Sequence, residues 1–249
     1  MTRRVITGLL RVALRVFFRR VEVAGAERVP RKGAVVFVLN HPNALVDPVF
    51  LLCLAPRPVS FLAKSTLFRM PVLKYFVRAL DAIPVYRKQD AGEDTSKNRE
   101  TFERARQLLA RGGTIGVCPE GVSHDEPSLR PFKSGASRIA LGAASTRAGS
   151  ALDLRVVPAG LYYTAKTTFR SSALLYFGEP VAVEPVALDE RGEPPAEDVR
   201  ALNARIERAL REVTLNAEHH EALSTIARAE RIFSAEEDDT QTPPREGGG

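Results

Sequence analysis

The nonapeptide Asn40-His41-Pro42-Asn43-Ala44-Leu45-Val46-Asp47-Pro48 sets an imidazole and a carboxylate on either side of turn-forming residues. A histidine held in one tautomer by a carboxylate can take a proton from a substrate hydroxyl, a contribution of roughly 10²- to 10⁴-fold to a rate. The same residues also suit a plainer role. Asp47 before Pro48 fits a helix N-cap followed by a first helical position, worth ~1 kcal/mol, with His41 as a polar turn residue. Taken alone, the nonapeptide leaves both readings open.

The flanking elements place this pair where α/β sheets keep their chemistry. Ala34 to Leu39 is an apolar run rich in β-branched residues and predicts a buried strand, and Val49 to Ala55 predicts a helix. His41 then stands at a strand end and Asp47 at a helix start. Val59 to Lys64 and Ala82 to Arg87 read as further strands, each ending in a cation. Two cations at neighbouring strand ends predict an anion site, since a guanidinium can hold phosphate oxygens in bidentate fashion. Thr114 to Cys118 is another strand that turns out through Pro119-Glu120-Gly121, where Gly121 lets backbone N–H groups approach a ligand. Lys133 is a third candidate cation. Ser123-His124-Asp125 is not a catalytic triad, because adjacent side chains of an extended chain point in alternate directions. There is no GxSxG elbow and no GxxxxGK[ST] loop, which argues against an α/β-hydrolase and a P-loop NTPase.

Composition sets the outer limits. The 249 residues, 44% hydrophobic and 27% charged, can bury a sizeable core. The net charge of +6 is matched by Arg3, Arg4, Arg11, Arg15, Arg19 and Arg20, so the basic excess is local and nucleic acid is not an expected partner. Cys53 and Cys118 lie in apolar runs and suit a reducing compartment; with no ligand spacing among Cys and His, neither metal nor cofactor is expected. Residues 1–20 are too charged to span a bilayer. As a helix they present an arginine stripe and a broad apolar remainder, fitting either a helix lying on anionic lipid or one packed on its own domain. The expected organisation is an amphipathic helix at 1–20, an α/β domain at 21–190 with a central sheet flanked by helices, a helical appendage at 191–234 and a disordered tail at 235–249.

Four blocks in fixed order, Asn40-His41 to Asp47-Pro48, Ile83-Pro84-Val85-Tyr86-Arg87, Pro119-Glu120-Gly121 and Val156-Val157-Pro158, resemble the glycerophospholipid acyltransferase family, the PlsC-like enzymes. The form HPNxxxDP with PEGxSHD looks like the branch that includes fungal glycerol-3-phosphate and dihydroxyacetone-phosphate acyltransferases. That resemblance implies a mixed central sheet and acyl transfer from acyl-CoA or acyl carrier protein to a hydroxyl of glycerol 3-phosphate or 1-acylglycerol 3-phosphate. His41 would be general base and Asp47 its orienting partner, with Asn40, Lys64, Arg87, Glu120, Gly121 and Lys133 binding substrate. It further implies a peripheral position on the cytoplasmic face of a membrane. A lysophospholipid acyltransferase or transacylase with a larger headgroup, or a lipid-binding protein without activity, would carry the same blocks. Three departures stand out: five residues rather than four separate His41 from Asp47, Asp81 replaces a glycine, and Val122-Ser123 replaces Thr-Arg after the PEG turn.

Overall fold

A computed structural model describes residues 2–90, 92–124, 126, 128–146 and 153–214. In chain order the elements are α1 (Thr2–Phe17), β1 (Arg20–Ala24), β2 (Val35–Leu39), α2 (Val46–Leu54), β3 (Ser60–Lys64), α3 (Leu73–Ala79), β4 (Ile83–Val85), α4 (Asn98–Ala110), β5 (Thr114–Val117), α5 (Gly135–Ala144), β6 (Arg155–Tyr163), β7 (Ser172–Phe177), β8 (Val181–Ala182) and α6 (Ala196–Val213). The strands form one mixed sheet of order β1-β7-β6-β2-β5-β3-β4, with β8 against β6.

Strand β2 is its axis. All five residues are fully buried, as a strand must be when parallel neighbours flank it and helices cover both faces. Val36 and Val38 face one layer with α4, α5 and α6, while Val35, Phe37 and Leu39 face the other with α1 and α2. Pro84 is tolerated because β4 closes the sheet at its edge.

Five strands, β6, β2, β5, β3 and β4, run parallel in sequence across the sheet. Their C-terminal ends therefore share one edge. That edge carries His41 after β2, Lys64 at the end of β3, Arg87 after β4, Glu120 after β5 and Tyr163 at the end of β6.

Two elements differ from the sequence expectation. The helix of the 191–234 segment is no appendage: α6 buries Val199, Leu202, Ile206 and Leu210 in the same core as α4 and α5. Gly160 of β6 lets the end of α6 approach so closely that a Cβ there would meet the Val213 carbonyl at 1.9 Å. Helix α2 begins at Val46, so Asp47 lies inside its first turn and caps nothing through its side chain. Asp125, the second half of the expected C-terminal helix and the tail lie outside the described residues.

Candidate active site

Asp47 is fully buried and accepts three hydrogen bonds. Oδ2 takes the Asn43 N–H at 2.7 Å and the Nδ1 of His41 at 2.9 Å, and Oδ1 takes the Tyr163 hydroxyl at 2.7 Å. An ionised carboxylate can only accept, so His41 carries its proton on Nδ1 and leaves Nε2 with a free lone pair. Tyr163 is packed between Phe18 and Phe50. Burial and the adjacent Asp47 carboxylate push its phenol pKa far up, so it remains a neutral donor.

Between His41 and Asp47 the chain bends back at Ala44, whose φ is 37°. Val46 N–H closes the turn onto Asn43 O at 2.8 Å. The loop after β5 clamps this turn from the side: Ser123 Oγ accepts the Ala44 N–H at 3.0 Å, and His124 N–H reaches His41 O at 3.2 Å. Lys166 Nζ donates to Pro42 O at 2.9 Å. Asp81 occupies the turn before β4 with a φ of 55°, a conformation that glycine adopts freely and Asp tolerates better than most residues.

A cavity of about 1040 Å³ opens against His41. Lys64, Arg87, Gly121, Ser123 and Lys133 line it beside the imidazole. Away from them the wall is apolar, formed by Leu10 of α1, Val49 and Leu52 of α2, and Leu73 and Phe76 of α3. Cys118 also borders the cavity, but burial, Asp47 and Glu120 raise its pKa well above that of an ordinary thiol, so it is no ready thiolate.

Apart from Asp47, which lies buried behind His41, the expected site residues divide into two groups. His41, Lys64, Arg87, Gly121 and Lys133 meet at the cavity. Asn40 and Glu120 do not. The Asn40 amide accepts from Leu161 N–H at 2.7 Å and donates to Leu161 O at 2.9 Å, which fastens the end of β2 to β6. Glu120 is buried and turned inward, where Oε2 accepts from His124 Nε2 and from the Arg130 N–H. Backbone groups that would otherwise be unpaired, Leu161 N–H and C=O at Asn40 and Arg130 N–H at Glu120, engage these side chains. Gly121 contributes differently from expectation as well, since its N–H goes to Cys118 O while its carbonyl accepts Arg87 Nη1 at 2.8 Å. Arg130 pairs with Glu126 at the surface.

Sequence reasoning did not single out Tyr163 or Asp90. Tyr163 ends a strand parallel to β2, and that position on the shared edge was the available signal. Asp90 lies three residues after Arg87 and binds it through Nε at 3.0 Å and Nη2 at 3.1 Å, while Lys64 Nζ stands 3.2 Å from the same carboxylate. The Arg87 hydrogen bond, with help from Lys64, holds the Asp90 carboxyl below the usual carboxylate range.

The family model described as Acyltransferase matches residues 20–162, from the start of β1 to the next-to-last residue of β6. The chain belongs to this family. Among relatives, glycerol-3-phosphate O-acyltransferase 2 of Saccharomyces cerevisiae is 39% identical over 136 residues, 55% of this chain and 18% of that protein. The 1-acyl-sn-glycerol-3-phosphate acyltransferase of Borreliella burgdorferi is 28% identical over 122 residues, 49% of this chain and 46% of that protein. The matched stretch is thus less than half the length of either relative. The solved structure of the 1-acyl-sn-glycerophosphate (LPA) acyltransferase PlsC from Thermotoga maritima superposes with a TM-score of 0.57 at 20% identity, covering 85% of this chain and 79% of that one. This likeness establishes the α/β fold of the acyltransferase family member, with a mixed sheet between helices. Among the described residues, no group of His, Cys, Asp and Glu could hold a metal ion.

Proposed function

We propose that this acyltransferase family member moves a fatty acyl group from acyl-CoA or acyl carrier protein to a hydroxyl of glycerol 3-phosphate or 1-acylglycerol 3-phosphate. One observation carries the reading: a single cavity is lined by His41, by cations that include Lys64, Arg87 and Lys133, and by a long apolar wall. The imidazole suits deprotonation of an alcohol, the cations suit a phosphate, and the wall suits an acyl chain.

His41 Nε2 takes the proton of the acceptor hydroxyl as its oxygen attacks the thioester carbonyl carbon. The tetrahedral intermediate collapses to the new ester and expels the thiolate, which recovers the proton from the imidazolium. Asp47 stabilises that imidazolium while Tyr163 and the Asn43 N–H hold the carboxylate in place. No acyl-enzyme is required. Lys64, Arg87 and Lys133 hold the acceptor phosphate and aim its hydroxyl at His41, a positioning effect of several kcal/mol.

The same reading puts the protein on a lipid surface. Val5, Leu9, Val12 and Val16 form an exposed apolar stripe on α1, with Arg4, Arg15 and Arg19 exposed nearby. The opposite side of α1 packs inward through Leu14, and Arg11 Nε donates to Cys53 O at 2.8 Å. Val72, Tyr75 and Phe76 of the α3 region are exposed as well, and α3 touches α1. An apolar stripe flanked by cations suits an anionic bilayer, and the apolar wall of the cavity draws on these same two helices. Among the described residues no helix is long and apolar enough to cross a membrane.

The test is free-thiol release from acyl-CoA across acceptors. Turnover should require a phosphorylated glycerol. Equal turnover with acceptors lacking phosphate would overturn the phosphate-site assignment, and no turnover with any acceptor would favour a binding protein.

A further inference from the structure

Three cations of the cavity, Lys64, Arg87 and Lys133, are engaged by two consecutive residues of the loop after β4. Asp90 takes both Arg87 and Lys64, and Gln89 Oε1 accepts Lys133 Nζ at 3.3 Å. Asp90 is almost wholly enclosed, its side chain 7% exposed. Its carboxyl is held below the usual range, so it is a full anion at neutral pH and cannot withdraw by taking up a proton. Its two oxygens grip the Nε and Nη2 edge of Arg87, which is the geometry a phosphate would use.

We infer that Asp90 is a resident counter-anion of the acceptor site: a phosphorylated acceptor binds by displacing the carboxylate from Arg87 and Lys64. The inference rests on the reading of these cations as the phosphate site. An intramolecular competitor weakens every incoming anion by one common factor, set by how often it occupies the cations. A phosphomonoester, with close to two negative charges and three terminal oxygens, binds strongly enough to absorb that factor. Weak monoanions, such as the phosphodiester headgroups of a bilayer or a free fatty-acid carboxylate, do not. Asp90 therefore sets a threshold that keeps abundant lipid anions out of a site facing lipid. It also keeps Arg87 and Lys64 paired when the acceptor is absent.

The test is titration of inorganic phosphate into the full-length wild-type, Asp90→Asn and Arg87→Ala proteins by calorimetry, with the acceptor KM of the wild type and Asp90→Asn measured in parallel. Asp90→Asn should bind phosphate about tenfold more tightly, the factor for a carboxylate that holds the cations about nine-tenths of the time. The acceptor KM should fall by the same factor. Asp94→Asn, which removes a charge of the same loop that is held by Ser96 and does not bond Arg87, Lys64 or Lys133, should change neither by more than about twofold. Looser phosphate binding in Asp90→Asn would show that Asp90 positions Arg87, and would overturn the inference. So would an effect of equal size in Asp94→Asn. If Arg87→Ala left phosphate binding unchanged, the phosphate-site reading would fall and this inference with it. Asp90→Ala, checked by circular dichroism, repeats the measurement should the amide refold the loop.

Discussion

His41 Nδ1 and Asp47 Oδ2 meet at 2.9 Å although five residues separate them, because Ala44 takes a positive φ that carries the chain back over the start of α2. The dyad is therefore a property of the turn as much as of the two side chains.

A non-glycine residue in this conformation stores about 1 kcal/mol of strain. Ala44→Gly should relieve it, raising unfolding free energy by about 0.5–1 kcal/mol in a urea titration, less whatever glycine gains in the unfolded chain. Turnover should stay within about twofold, because the Ala44 N–H bond to Ser123 is a backbone bond that glycine keeps.

Tyr163→Phe removes one of the three donors to a buried carboxylate and leaves Asp47 Oδ1 without a partner. Such an orphaned acceptor costs about 1–3 kcal/mol, which denaturant titration would read directly. Because Asn43 and His41 still hold Oδ2, turnover should fall less than about tenfold.

Arg87→Lys keeps the charge but loses the fork that spans Asp90 and the Gly121 carbonyl. The KM for a phosphorylated acceptor should rise by about tenfold and the KM for acyl-CoA should not move. Initial-rate measurements with each substrate varied in turn separate the two.

Replacing Leu9 and Val12 of α1 together by Glu sets two carboxylates in its exposed apolar stripe without touching the buried Leu14 side. Flotation with anionic liposomes should fall several-fold while circular dichroism stays that of the wild type. Undiminished flotation would remove α1 from the lipid contact.

How far the sequence could be read depended on the range of each interaction. Strand β2 was legible because a run such as Val-Val-Phe-Val-Leu has few uses other than a strand buried on both faces. His41, Lys64 and Arg87 were legible because strand ends in a parallel sheet share an edge. The stitching roles of Asn40 and Glu120 were not legible because a polar residue near that edge can face substrate or hold backbone, and their backbone partners, Leu161 and Arg130, lie well away from them in sequence. Tyr163 reaches Asp47 from more than a hundred residues away, beyond any local pattern. Asp90 was hidden by its ordinariness, an acid near an arginine in a polar loop. The periodicity of α6 announced an apolar face but not the surface it would cover, and the broad apolar side of α1 did not reveal that the body would cover only part of it.

The most direct test of the account is the turnover of His41→Ala, followed as thiol release from acyl-CoA with a phosphorylated glycerol acceptor. The side chain is the only part of the site that this variant removes, and a circular dichroism spectrum and melting curve matching the wild type would establish the fold. A loss of at least about 10²-fold in kcat, with both KM values within a few-fold of the wild type, is the predicted result. Turnover within a few-fold of the wild type would contradict the assignment of His41 as general base.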